Sequence, residues 1–289
     1  MSEPRLEVKK TSKLFIGGAF PRSESGRSYV VSSAAGEFLC NAAWASRKDV
    51  RDAVVAARGA QPRWSAATAY NRGQVLYRVA ELLEARRAQF VHEVRAAEGA
   101  TARSAAAQVD AAIDRWVWYA GWSDKLAQVA GSSNPVAGPY FNFSVPEPTG
   151  VIGIVAPTDS ALLGLVSVVA PVLAAGNTLV VLADERRPIP AVSLTEVLAT
   201  SDVPAGVLNL LTGPADELVP VLAGHRDVDG LDLAGAEPAL AATAEATGAT
   251  NIKRISRLVP QGHDWRRDPG TSRLLRFVET KTVWHPIGS

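Results

Sequence analysis

The chain has 289 residues, 47% of them hydrophobic, with 30 Lys and Arg against 29 Asp and Glu for a net charge of +1. That length carries one sizeable core or a domain with appendages, and the charge balance provides no field favouring nucleic acid or an anionic membrane. Cys40 is the single cysteine and excludes an internal disulfide, no apolar run reaches the roughly 20 residues of a membrane span, and "MSEPRLEVKK" lacks a signal-peptide core, so a cytoplasmic protein with neither nucleic-acid nor membrane partners is expected.

"KLFIGGAF" alternates around Gly17-Gly18 and reads as an early hairpin, with "VSSAAGEFLC" as a second extended piece. Ser46 is placed to cap a helix over about 48–60, ended near Pro62. A longer helix is expected over about 70–97, because Leu76, Val79, Leu83, Phe90 and Val94 form one stripe. A third runs over about 102–126. Its Trp116, Trp118, Tyr119 and Trp122 resemble a ligand box, but aromatic residues at helical spacing read as core. "GSSNPVAGP" is a loop, and "YFNFSVPEP" is extended but interrupted by prolines, which suits an edge strand or protruding hairpin.

From residue 151 the pattern becomes a β-α-β-α-β series. Strands are expected at 151–155, 178–182, 207–211 and 230–233, and helices at 161–175, 191–200 and 216–223. Short apolar runs alternating with helices imply a doubly wound parallel sheet with right-handed crossovers. Ligands bind such sheets beyond the carboxyl ends of the strands, so 155–160, 182–185, 211–214 and 233–236 are expected to share a rim. The pattern decays after Gly248. "QGHDWRRDPG" reads as a polar loop, and a last strand is expected over about 274–284.

The segments "KDVRDAVVAARGAQPRWSAATAYNRGQVLYRVAELLEARRAQF", "WYAGWSDKL", "EPTGVIGIVAP", "PVLAAGNTLVV", "VPAGVLNLLTG" and "HRDVDGLDLAGA" resemble, in family order, the aldehyde dehydrogenase superfamily across most of 13–257. The resemblance implies an α/β protein with aldehyde-dehydrogenase-like N-terminal helices, a Rossmann-like sheet and a small β oligomerisation hairpin. It implies a division into 1–135 (hairpin and helices), 136–149 (extended oligomerisation segment), 150–260 (Rossmann-like region), 261–272 (a loop replacing the catalytic domain) and 273–289 (oligomerisation strand). "LLRFVETKTV" is similar to the family's final strand, so the chain looks like a member with its catalytic domain removed and the ends rejoined.

The functional positions depart from the family. Its first turn carries proline, tryptophan and an asparagine whose amide helps form the oxyanion hole. Here Pro157 matches, but Thr158 and Asp159 follow, and an ionised carboxylate only accepts hydrogen bonds and repels an oxyanion. The family's ribose-binding lysine and glutamate correspond to Leu182 and Glu185. Its glycine-serine turn at the pyrophosphate becomes Gly235-Ala236, and its general-base glutamate becomes Leu258. The cofactor positions the resemblance implies are therefore Pro157, Glu185, Gly213 and Gly235. It implies NAD or NADP held weakly or not at all, with no catalytic set and no metal ligands.

Cys40 lies far in sequence from the family's nucleophile and reads as a small buried residue. The four histidines show no metal spacing. Asp159 reads as a turn carboxylate or helix cap rather than a new catalytic acid. These readings favour a pseudoenzyme subunit. Its partner would be a full-length aldehyde dehydrogenase, bound through the tail strand and the 140–148 segment, or a second copy in a homodimer. The alternatives are an NAD(P)-dependent oxidoreductase completed by a partner chain and a simple nucleotide-binding protein.

Overall fold

The structure is a computed structural model and describes residues 8–257, 259–260 and 262–288. The chain enters through β1 (Thr11–Ser12) and reaches the expected hairpin, where Ile16 and Ala19 exchange both backbone hydrogen bonds. Gly17 and Gly18 turn the chain with φ of 59° and 81°, a pair of left-handed conformations that glycine adopts without steric cost. The second extended piece is itself a hairpin, of β2 (Ser28–Ser32) and β3 (Phe38–Ala43), with β1 added in parallel to β3.

Ser46 caps α1 (Arg47–Ala66) through a reciprocal capping box: its side chain accepts from Asp49 N, and the Asp49 carboxylate accepts from Ser46 N. Pro62 does not end this helix, contrary to the sequence expectation. Trp64 beyond it is buried and donates its indole N–H to Leu173 O, and that anchorage carries the helix on to Ala66. The single helix expected over 70–97 is two, α2 (Ala69–Ala85) and α3 (Arg87–Glu98), divided at Arg86. Arg86 leaves helical geometry, and its guanidinium reaches Glu196 and Gln89. The apolar stripe survives the break, because all five predicted residues are fully buried.

In α4 (Ala102–Trp122), Trp116 and Tyr119 are core, and Trp118 and Trp122 pack partly buried against it. After α5 (Leu126–Ala130), the expected loop contributes a strand, β4 (Ser132–Asn134). β5 (Tyr140–Pro148) is then the middle strand of three rather than an edge. Its prolines are tolerated because β4 pairs only with residues 142–144, and Pro146 and Pro148 lie past that pairing.

The parallel sheet is assembled from β6 (Val151–Val155), α6 (Leu163–Ala174), β7 (Thr178–Leu182), α7 (Ile189–Leu198), β8 (Leu208–Leu211), α8 (Ala215–Gly224) and β9 (Gly230–Asp232). Sequence reading missed its remaining pieces, α9 (Pro238–Gly248) and β10 (Arg254–Ser256). The strand order is β10-β9-β6-β7-β8, all parallel. Alternate residues serve the two faces: Ile152, Ile154, Leu179 and Val181 join one core with α2, α4, α6 and α7. Val151, Val155, Val180 and Leu182 join the other with α1 and α8. β11 (Val278–Pro286) begins later than expected and pairs antiparallel with β5 along its whole length. Leu274 and Phe277, expected on that strand, are instead core residues. Among the described residues no helix is long and apolar enough to cross a membrane.

Candidate functional site

The chain starts its parallel sheet at the centre with β6, works outward to β8, then crosses back to β9 and β10 on the other side. The carboxyl ends of β6 and β9 therefore bound the topological switch point, where such sheets bind ligands. A cavity of about 600 Å³ lies there, lined by Thr158 and Asp159 after β6, by residues 234–238 after β9, and by Trp265.

Gly235 is set by packing. Its N–H donates to Val155 O, and a Cβ there would collide with the Ala156 carbonyl and come within 2.9 Å of Pro157 Cα. The fold thus brings Pro157 and Gly235 together as backbone against backbone. It does not bring the other two predicted positions to this cavity. Glu185 lines a separate groove beside Tyr29, and Gly213, at φ 130°, turns the chain from β8 into α8 against Ala45. Burial and the nearby carboxylates of Asp216 and Asp184 hold the Glu185 pKa above its ordinary value. Leu182 is buried within β7, and Ala236 is a buried turn residue whose N–H returns to Leu233 O. The Leu258 position lies outside the described residues.

Asp159 does not cap a helix. Ser160 Oγ accepts from Gly164 N in the first turn of α6, and Ala161 N donates to Glu98. Asp159 Oδ1 instead accepts the indole N–H of Trp265 at 2.9 Å. Trp265 sits in the segment read from sequence as a polar loop, yet its side chain is buried, edge-on to His263 and close over Gly164. Buried Arg115 holds that loop from beneath, donating to Ser167 Oγ and to the carbonyls of Trp265 and Arg267. Asp232, buried at the end of β9, accepts from Arg273 beyond the loop. Burial pushes the Asp232 carboxyl up, and Arg273 opposes that shift.

Sequence reasoning missed Trp265, Arg115 and the Asp232–Arg273 pair. One signal was available: Arg115 lies beside Trp116 and between Ala112 and Tyr119 on the buried stripe of α4, where a charge needs a partner.

A dinucleotide fits this cleft poorly. The amino end of α9 faces it, but its lining among the described residues holds two carboxylates, Asp159 and Glu237, and no Lys, Arg or His. A pyrophosphate there meets like charge, with helix-terminal amides alone in favour. Cys40 is buried 3.4 Å from Ser12 Oγ. No group of three or more His, Cys, Asp or Glu among the described residues is placed to hold a metal ion.

Comparison with known proteins places this architecture. The profile of the aldehyde dehydrogenase family matches residues 20–259. Human retinal dehydrogenase 2 is 34% identical over 259 residues, which are 88% of this chain and 49% of that protein. The putative aldehyde dehydrogenase DhaS of Bacillus subtilis is 31% identical over 87% of this chain and 51% of its own. Among solved structures, HpcC from Thermus thermophilus is 32% identical with a TM-score of 0.81, over 86% of this chain and 48% of that one. The NAD+ complex of a Bacillus cereus aldehyde dehydrogenase superposes with a TM-score of 0.82 at 25% identity, over 86% and 50%. The chain spans about half the length of the curated relatives it matches.

Proposed function

We propose, from the premise that this chain belongs to the aldehyde dehydrogenase family, that it is a non-catalytic member that assembles with and supports an active NAD(P)-dependent aldehyde dehydrogenase. The observation that carries the reading is the Asp159–Trp265 hydrogen bond. The turn that resemblance assigns to oxyanion stabilisation holds a carboxylate committed to the chain's own loop. An acceptor-only group cannot stabilise a developing negative charge. The acid-lined cleft argues in the same direction for NAD or NADP, whose binding is expected to be weak or absent.

The β4-β5-β11 sheet supports the assembly half of the proposal. Tyr140, Phe141, Trp284 and Ile287 are exposed on or beside it, and β11 has a free edge. A strand edge with unpaired backbone groups beside exposed aromatic residues suits docking against another subunit. In this reading 136–149 and 273–289 are assembly segments, and the partner is a full-length aldehyde dehydrogenase or a second copy. A second reading, a nucleotide-binding protein, draws on the cleft at the switch point and the α9 terminus facing it.

The deciding experiment is affinity purification with a full-length aldehyde dehydrogenase, paired with turnover assays of the isolated chain using NAD and NADP. Co-purification without intrinsic turnover is expected. Aldehyde oxidation by the isolated chain that persists in Cys40→Ser would sink the non-catalytic reading. Tight NAD binding by calorimetry without turnover would transfer the case to the nucleotide-binding reading.

A further inference from the structure

The connection from β10 to β11 folds back over α4 and β9 and borders a second, open cavity, of about 340 Å³. Trp265, Val259 and Pro260 line both this cavity and the switch-point cleft, so they form the partition between them. The two sides differ in charge. The cleft carries carboxylates, whereas five arginines line the second cavity, with Asp268 as the one carboxylate among its described lining residues.

Pairing within the chain neutralises part of this charge. Arg273 meets buried Asp232 at 3.2 Å, and Arg257 meets Glu245 at 3.3 Å on the surface. The other three are differently placed. Arg115 is buried and, among the described residues, hydrogen-bonded only to neutral acceptors, Ser167 Oγ and two carbonyls. Arg276 donates to the neutral Ser256 Oγ. Arg267 makes no side-chain hydrogen bond or ion pair among the described residues. Of the three, Arg115 is buried, with Asp268 acting on it through space, while Arg267 and Arg276 are exposed, and the like charges gathered on one small cavity repel each other. A second observation lies next to them. The Tyr119 hydroxyl is fully buried without a hydrogen-bond partner among the described residues, and its charged neighbours are Arg115, Arg273 and Asp268.

Guanidinium groups present planar forks that match the oxygens of a phosphate, and they bind it more strongly than neutral donors do. We propose that this cavity binds a small phosphate monoester, its phosphate seated among Arg115, Arg267 and Arg276. The volume sets the size class, because sites for drug-sized ligands span roughly 300–1,000 Å³ and this one lies at the low end. The inference stands apart from the subunit reading, since it needs neither a partner chain nor the switch-point cleft.

The test is calorimetry on the full chain with glycerol 3-phosphate as probe, against inorganic phosphate, glycerol and sodium chloride at matched ionic strength. Saturable binding of glycerol 3-phosphate, tighter than that of inorganic phosphate and absent for glycerol, is expected. Arg267→Glu, at an exposed position, should weaken binding at least roughly tenfold while circular dichroism shows an unchanged fold. Arg103→Glu, an equal charge change outside the cavity, should leave the affinity within about twofold. Equal affinity for inorganic phosphate and the ester would overturn the monoester assignment. An unresponsive chain, or equal weakening by Arg103→Glu, would remove the site altogether.

Discussion

Every residue of β6 and β7 is buried, whereas along β11 only Val278 and Val283 are even partly covered, and Trp284 stands 58% exposed. The first sheet has helices on both faces and finds its cover within the chain. The second pairs completely along β5–β11 but leaves aromatic side chains in solvent. Hydrogen-bond pairing and apolar burial are thus separable. The parallel sheet supplies stability, and the antiparallel one has backbone pairing without a finished core, as the proposed association would require. Asn177 joins the two: its amide donates to Phe277 O just before β11, and its Oδ1 accepts from Gly150 N just before β6.

The tightest packing of the parallel sheet's rim is at Gly235. A methyl group there meets the Ala156 carbonyl and neighbouring backbone, which cannot yield as a side chain can. Gly235→Ala should cost on the order of 3–5 kcal/mol or prevent folding, as chemical denaturation would measure; near-native stability would mean the β6 and β9 ends are not tightly packed. Asn177→Ala should cost about 2–4 kcal/mol by orphaning buried backbone groups at the joint. Hydrogen exchange should then report early opening of β11. If only β6 loosened, the joint would not couple the sheets.

Asp159→Ala removes the acceptor of the Trp265 indole and should cost about 0.5–1.5 kcal/mol, with a red-shifted tryptophan emission as Trp265 meets water. An unchanged spectrum would show the loop held by Arg115 alone. Asp184 tests the rim by pH. It is buried, one carboxylate oxygen accepts from Arg186 N, and the other has no hydrogen-bond partner among the described residues. Burial holds its folded-state pKa above the ordinary carboxylate value. Its stabilising contribution is therefore full below the unfolded value, about 3.9, and is lost as pH rises through the higher folded value. Asp184→Asn should be more stable than the wild type near about pH 7, with the gain shrinking toward about pH 4. A gain that grows in acid would reverse the sign of that burial argument. The smallest effect on unfolding belongs to Trp284→Ser. It should change monomer stability by less than about 1 kcal/mol yet weaken association measured by light scattering. A large loss of monomer stability would make β11 part of the fold's own core.

The parallel sheet was legible in the chain because its code is local. The short, mostly apolar runs at 151–155 and 178–182 need cover on both faces, and the helices that provide it follow. The Ser46 cap and the stripe from Leu76 to Val94 were readable for the same reason, since each is written in short-range helical spacing, even though the stripe runs across the break between α2 and α3. Tertiary context decided the rest. Pro62 is passed because Trp64 is anchored to Leu173, and β5 becomes a central strand because partners from residues 132–134 and 278–286 flank it. The site shows this most plainly. Asp159 reads as a solvated turn residue until a tryptophan 106 positions away donates to it, and Trp265 reads as loop until Arg115 holds its carbonyl. Composition and periodicity register what a residue's neighbours in the chain require. Which distant donor meets which acceptor depends on how the elements pack, and a single sequence carries no periodic trace of that.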